Sequence, residues 1–61
     1  MYFETADVYR AERFMDLLNE DSIDFELSFT LLTDNWKIWR FDIDERTCTP
    51  SKFNWVVENS I

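Results

Sequence analysis

The spacing of apolar residues near the start of the chain predicts one amphipathic helix. Over residues 6–19, apolar side chains recur three and four positions apart, the spacing at which they share one side of an α-helix. Two residues before or within this segment are suited to cap its first turn, Thr5 and Asp7. We expect the helix to bury one stripe in the core. The stripe consists of Val8, Ala11, Phe14, Met15 and Leu18.

Three later segments alternate apolar and polar residues with the period of a β-strand. The first, residues 23–32, turns one set of side chains to the same side: Ile23, Phe25, Leu27, Phe29 and Leu31. The second, residues 36–44, follows a polar turn. The third, residues 52–58, follows a loop with Pro50, a residue excluded from central strands. The N-terminal MYFE predicts either a short edge strand or an irregular lead-in.

Together these elements predict an α+β fold for one small domain, residues 1–61. One helix packs on a three-stranded antiparallel meander, in the order (β)αβββ, where the parentheses mark the short N-terminal edge strand. A parallel sheet is not expected, because the pattern contains no second helix that could cross between parallel strands.

The turn between the first two predicted strands decides which side chains share a face. A two-residue loop at residues 34–35 would place Phe29 opposite Arg40 and so bring a charge to the core face. A three-residue loop at residues 33–35 avoids this, and Asn35 tolerates the left-handed conformation that closes such loops. We therefore predict the longer loop. Its cross-strand pairs are all apolar: Phe29 with Trp39, Leu27 with Phe41, and Phe25 with Ile43.

This register sorts the stretch DNWKIWRFDIDE, residues 34–45, into a core side and an outward side. The outward column grades from apolar to acidic, and the neighbouring strand sets Glu26 opposite Asp42 and Asp24 opposite Asp44. Like charges directly opposite each other destabilise a sheet, and such departures from folding rules concentrate at functional sites. The predicted partner-binding residues are Asp24, Glu26, Trp36, Ile38, Arg40, Asp42 and Asp44.

Both halves of this outward surface have more than one interpretation. The acids are a solvated face, an electronegative surface for a basic partner, or, least favoured, a site for a divalent cation. The apolar residues Trp36, Ile38 and Leu32 are an interface, or they are covered by the N-terminal segment with Tyr2 and Phe3, or by the C-terminal tail.

The charge balance narrows the class of partner. Thirteen acidic residues against six basic ones give a formal net charge of −7. This excess argues against direct binding to nucleic-acid phosphates or to anionic membranes, and it favours a protein partner with a basic surface. No apolar run approaches the roughly 20 residues of a membrane span. A free thiol and the lack of an export signal predict a cytoplasmic location.

Residues that enzymes and cofactor sites commonly use are scarce. The chain has no histidine to act as a base or to ligate zinc, and without glycine it has no phosphate-cradling loop. Cys48 lies in a polar loop near Arg46 and Lys52, whose charges would lower its pKa, but no partner for redox or nucleophilic chemistry is evident. We therefore expect no enzyme, no cofactor, and no catalytic or metal-binding residue.

The leading hypothesis is a non-enzymatic protein-binding inhibitor or regulator that occupies a basic, nucleic-acid-binding site on its partner. Small acidic phage proteins act as such decoys in the host cytoplasm, and the analogy with them is one of size and charge only. The alternative is a structural or self-assembling module, a homodimer formed through Trp36 and Ile38.

Overall fold

The computed structural model describes all 61 residues and shows an α+β fold with two helices and one three-stranded antiparallel sheet. The elements in chain order are β1 (Tyr2–Thr5), α1 (Val8–Glu20), β2 (Phe25–Thr33), β3 (Trp36–Ile43) and α2 (Pro50–Asn59). The strand order is β1-β3-β2, which places β3 in the centre. Neither helix has the length and apolar character needed to cross a membrane.

The strand predicted at residues 52–58 is wrong, because this segment lies in α2. Thr49 caps the helix by accepting a hydrogen bond from the backbone N–H of Lys52 at 3.2 Å. Pro50 occupies the first turn, where a helix needs no amide donor and a fixed φ is favourable. The segment therefore contributes Val56 to the core from a helix rather than from a strand.

The N-terminal segment is the third strand of the sheet. β1 pairs antiparallel with β3, with Phe3 opposite Phe41 and Tyr2 opposite Asp42. The predicted edge strand is thus present, but the meander is not, since the chain returns from β1 through α1 before it forms the hairpin. Two helices, rather than one, complete the fold.

Helix α1 begins after Asp7, which is one of the two predicted caps. Its carboxylate accepts hydrogen bonds from the backbone N–H groups of Tyr9 and Arg10 at 2.9 and 3.3 Å. The predicted stripe is confirmed at its centre, but its first residue, Val8, is 44% exposed. The residues that α1 buries are Ala11, Phe14, Leu17 and Leu18.

Phe14 stands at the centre of an aromatic core. Its side chain is fully buried, and its ring stacks on Phe3 with 4.3 Å between centroids. It also meets Phe41 from β3 at 4.9 Å and Phe53 from α2 at 6.4 Å. One ring therefore ties both helices to the same face of the sheet, which we call the inner face. The opposite face is the outer face.

The predicted pairing of the hairpin is confirmed for Phe25 with Ile43, Leu27 with Phe41, and Phe29 with Trp39. The predicted loop is wrong. Thr33 pairs with Trp36 across a two-residue turn, and a β-bulge between Leu31 and Thr33 takes up the additional residue. Asn35 is not left-handed, as Ser22 alone has a positive φ. A bulge restores the apolar register without lengthening the turn.

The far half of the hairpin extends beyond the helices. Leu27, Phe29 and Leu31 point to the inner face as predicted, but they are 44%, 54% and 58% exposed. Thirteen helical residues span about 20 Å, whereas nine strand residues span about 30 Å. Helix α1 is therefore too short to cover β2 over its whole length.

Candidate protein-binding face

The outer face is formed by alternate residues of all three strands, and both helices lie on the other side of the sheet. Its exposed aromatic residues, Tyr2 and Trp36, each retain 55% of their surface. Ile38, Arg40 and Asp42 stand between them along the central strand and are half-buried by their neighbours. The outer face therefore offers both apolar and charged groups to a partner.

The four predicted acids come together at one end of the outer face. Asp24, Glu26, Asp42 and Asp44 line a shallow, open concavity of about 340 Å³, together with Phe25 and Ile43. Glu26 lies directly opposite Asp42 in the β2–β3 register, as predicted. The backbone N–H of Asp44 donates to the carbonyl oxygen of Asp24 at 2.9 Å, which holds the second pair of acids side by side.

Arg40 is the one cation whose side chain stands on the outer face, and it is held by three neighbours. Its guanidinium donates to both carboxylate oxygens of Asp42 at 3.1 to 3.2 Å and lies 3.8 Å from Glu4. The same group lies 4.1 Å from the centre of the Tyr2 ring, a cation–π contact. The hydrogen bonds to Asp42 raise the pKa of Arg40 above its ordinary value.

A second arginine pairs with the acids from the loop that follows β3. Arg46 donates through Nε and Nη2 to Asp44 at 3.1 and 2.9 Å, and its backbone N–H donates to the same carboxylate at 3.0 Å. These bonds, led by those from the Arg46 side chain, lower the pKa of Asp44. The Arg46 side chain is 88% exposed, so a competing cation can displace it with little loss of packing.

Two of the four acids therefore have an arginine partner within the chain, and two do not. Asp24 and Glu26 form no salt bridge. No group of three or more carboxylate or thiol side chains is placed to hold a metal ion. An open, partly neutralised acidic surface is suited to pairing with the cations of another macromolecule rather than to enclosing a small ligand.

The apolar end of the outer face is exposed. Trp36 and Leu32 retain 55% and 58% of their surface, with Leu32 in the β-bulge, and Ile38 is half-buried. The N-terminal segment does not fold over them, because Tyr2 pairs with Asp42 at the other end of β3 and Phe3 packs in the core.

Two residues of the outer face escaped the sequence analysis. Tyr2 and Glu4 reach it from β1 and contact Arg40. The signal for them was the alternation in MYFE, which places these two residues on the side opposite Phe3. A third strand at residues 52–58, as predicted, would occupy the place beside the central strand that β1 takes in the structure.

The inner face carries an exposed apolar surface where the hairpin extends past α1. A groove of about 150 Å³ runs between the helix and the hairpin. Leu27, Phe29 and Leu31 continue this surface toward the hairpin turn. The residues that line the groove are Val8, Ala11, Glu12, Met15, Leu27, Trp39 and Phe41.

Cys48 does not lie in an exposed polar loop. It is 5% exposed and belongs to the core cluster, and its thiol lies 3.5 Å from the carbonyl oxygen of Thr49. Burial raises the pKa of Cys48, and the nearby charge of Lys52 offsets this only in part. The expected lowering by Lys52 is present, but burial outweighs it, so the pKa of Cys48 is raised overall.

Comparison with known proteins finds no family model, no curated protein and no solved structure that matches the chain.

Proposed function

We propose that this protein is a non-enzymatic binding module that presents its outer face to a basic site on a protein partner. The observation that carries the proposal is the gathering of Asp24, Glu26, Asp42 and Asp44 at one open concavity, on a sheet face with no helix packed on it. Placing like charges opposite each other costs stability within the sheet. A cationic partner would remove that cost on binding.

The density of negative charge supports a partner that itself binds nucleic acid. Carboxylates two residues apart on a strand are separated by about 7 Å, and neighbouring strands lie about 5 Å apart. Four carboxylates thus fall within about 7 Å along the strands. Duplex DNA carries about four phosphate charges over the same length of its axis. A protein groove built for phosphates would therefore meet a similar density of carboxylates on this face, two of them paired with Arg40 and Arg46.

The pairing of Arg40 and Arg46 with these acids leaves room for the cations of a partner to take their place. Both ion pairs keep at least one side chain partly open to solvent, and pairs open to solvent contribute little to stability. Lysine or arginine residues of the partner would replace Arg46 at Asp44 and share Asp42 with Arg40. Trp36, Ile38 and Tyr2 would supply the apolar contacts, since aromatic residues are the common anchors of protein interfaces.

The test compares two variants that lose the same charge from different faces. The outer-face variant carries Asp24→Asn, Glu26→Gln, Asp42→Asn and Asp44→Asn. The control variant replaces four exposed helical acids by their amides: Glu12, Asp16, Glu20 and Glu58. Wild type and both variants are immobilised, proteins are captured from lysate at low salt, and the association rate of each captured protein is measured at two salt concentrations.

We expect wild type and the control variant to capture the same basic protein, and the outer-face variant to lose it. The wild-type association rate should fall by about tenfold or more between low and physiological salt, because electrostatic steering is screened. An equal loss of binding in both variants would show that only net charge matters. Unchanged binding in the outer-face variant would contradict the proposal.

A further inference from the structure

The edge of the sheet formed by β2 is long and open. The sheet ends in β1 on one side and β2 on the other. β1 has only four residues, a length that limits pairing with another chain, whereas β2 has nine. Glu26 is the only charged residue in β2, and the strand contains no proline or lysine. Exposed strands of this kind are templates for an additional strand.

The hydrogen bonds of β3 show which backbone groups of β2 are unpaired. Asp44 donates its backbone N–H to Asp24, and Ile43 donates to Met1, both at 2.9 Å. β3 therefore bonds β2 through its even-numbered residues and β1 through its odd-numbered residues, as antiparallel pairing alternates. In β2, the residues opposite the odd-numbered ones direct their N–H and C=O groups to the open edge. These residues are Phe25, Leu27, Phe29 and Leu31.

We propose that two copies of this chain pair through this edge, with their β2 strands antiparallel and a two-fold axis at Phe29. Each Phe29 would lie opposite Phe29 of the partner subunit, and Leu27 opposite Leu31 of the partner subunit. The pairs at 27, 29 and 31 would form about six backbone hydrogen bonds and join the two sheets into one of six strands. The proposal does not rest on the proposed function, because it leaves the outer face open.

The distribution of charge along β2 selects this arrangement. Under the antiparallel pairing, Glu26 faces Leu32 of the partner subunit, and the two Glu26 residues lie about 20 Å apart along the strands. A parallel, in-register pairing would bring the two Glu26 side chains together, which is unfavourable. The antiparallel pairs across the axis are apolar or neutral. They are Phe29 with Phe29, Leu27 with Leu31, and Ser28 with Thr30.

The inner face supplies the apolar surface that such a dimer would bury. Leu27, Phe29 and Leu31 together expose the equivalent of about one and a half whole side chains, or roughly 300 Å² at about 200 Å² each. Leu31 of the partner subunit would lie beside Leu27, at the mouth of the groove against α1. Specific dimers bury about 800 Å² per protomer, so this dimer belongs to the weak class. Sedimentation should therefore be measured at protein concentrations from micromolar to millimolar.

The test uses two substitutions that add the same charge at two positions of nearly equal exposure. Phe29→Glu places like charges opposite each other at the axis, while in the monomer Lys37, 5.1 Å from the Phe29 ring, offsets the new charge. Trp36→Glu is the control, since Trp36 is 55% exposed and Phe29 is 54% exposed. We expect sedimentation to show a wild-type dimer that Phe29→Glu abolishes and Trp36→Glu retains. The opposite result would place the dimer at the Trp36 and Ile38 surface and overturn the proposal.

A mixing experiment tests the two-fold axis itself. Phe29→Glu and Phe29→Lys should each be monomeric alone, whereas their equimolar mixture should dimerise, because opposite charges then face each other at the axis. A mixture that stays monomeric would contradict the register. A wild-type protein that is monomeric up to millimolar concentration, or one that assembles into fibres rather than closed dimers, would contradict the dimer.

Hydrogen exchange provides a test without any substitution. The amides of Leu27, Phe29 and Leu31 should exchange at least about tenfold more slowly at millimolar than at micromolar concentration. The amides of Ser28 and Thr30 should not show this change, because they are bonded to β3 at both concentrations. Rapid exchange of the first group in a dimeric sample would overturn the edge pairing. Salt separates this proposal from the proposed function, since screening should strengthen a dimer of like-charged chains and weaken the binding of a basic partner.

Discussion

Arg40 binds the carboxylate of Asp42, two residues further along the same strand, through both of its oxygens at 3.1 to 3.2 Å. Residues two apart on a strand share a face, so the pair lies flat on the outer face. The guanidinium of Arg40 also lies 3.8 Å from Glu4. Its positive charge therefore lessens the repulsion of Asp42 from Glu4 and from Glu26, which lies opposite Asp42. Arg40 therefore allows this face to hold its acids together.

We predict that Arg40→Gln weakens the fold slightly and speeds association with a basic partner. The substitution removes the cation among Glu4, Glu26 and Asp42, so repulsion lowers the melting temperature, most clearly at low salt. The more negative face should also steer a cationic partner more strongly. Melting curves at two salt concentrations and stopped-flow association rates check both effects.

Arg46→Gln serves as the matched control, because Arg46 also pairs with an outer-face acid but makes no aromatic contact. It should change the association rate in the same direction with a smaller effect on melting. A larger melting effect for Arg46→Gln than for Arg40→Gln would show that the cation–π contact with Tyr2 contributes nothing.

Phe14→Ala should remove about a third or more of the protein's stability. Truncating a buried phenylalanine costs about 3 to 5 kcal/mol. A chain of 61 residues has a total stability of only about 3 to 9 kcal/mol. Phe29→Ala is the control, since this half-exposed ring should cost only about 1 kcal/mol. Urea unfolding followed by circular dichroism, at low micromolar concentration, measures both. A loss of stability for Phe14→Ala no larger than that for Phe29→Ala would contradict the central role of this ring.

The sequence predicted the hairpin well because both of its faces are constrained at once. A shift of one residue would bring Arg40 and Asp42 to the inner face, so the apolar pairs fix the register even though the turn itself was predicted wrongly. Turn chemistry alone left two loop lengths open. The β-bulge allows a two-residue turn to coexist with the strand pairing that was expected for a three-residue loop. A bulge leaves little trace in the pattern of apolar residues.

Helix α2 was missed because its residues favour strands and alternate over a short run. Phe53, Trp55 and Val57 have the period of a strand, but Phe53, Val56 and Val57 have equally the period of a helix. Thr49 followed by Pro50 was the deciding signal, since an N-cap and a first-turn proline mark the start of a helix. The error moved one strand of the sheet and so hid Tyr2 and Glu4 from the predicted site.

The pair of Asp44 and Arg46 should contribute to stability in a defined range of pH. Hydrogen bonds from Arg46 hold the pKa of Asp44 below its ordinary value of 3.8. A carboxylate with a lowered pKa in the folded state stabilises the protein above the unfolded value, and this contribution is lost as the pH falls through the folded value. We therefore expect Asp44→Asn to reduce stability at pH 6 and to flatten its decline below about pH 4.

Arg46→Gln should reproduce only part of that effect. It removes the side-chain bonds but retains the backbone N–H of residue 46, which donates to Asp44 at 3.0 Å. Urea unfolding from pH 2 to pH 7 measures the decline for both variants. If the stability of Asp44→Asn fell below pH 4 with the wild-type slope, the pKa of Asp44 would not differ between the folded and unfolded states.

Cys48 should react slowly with thiol reagents while the protein is folded. The thiolate is the reactive form, and burial raises the pKa of Cys48 and also blocks access to the sulfur. We expect disulfide-exchange reagents at pH 8 to modify the folded protein about a hundredfold more slowly than the urea-unfolded chain, because reaction then requires local opening.

The loop that opens is anchored where Thr47 accepts a hydrogen bond from the backbone N–H of Asp24 at 3.0 Å. Thr47→Val removes that bond and should speed modification, whereas Thr30→Val, on the outer face of β2, should not. Equal rates for folded and unfolded protein would mean that Cys48 is exposed.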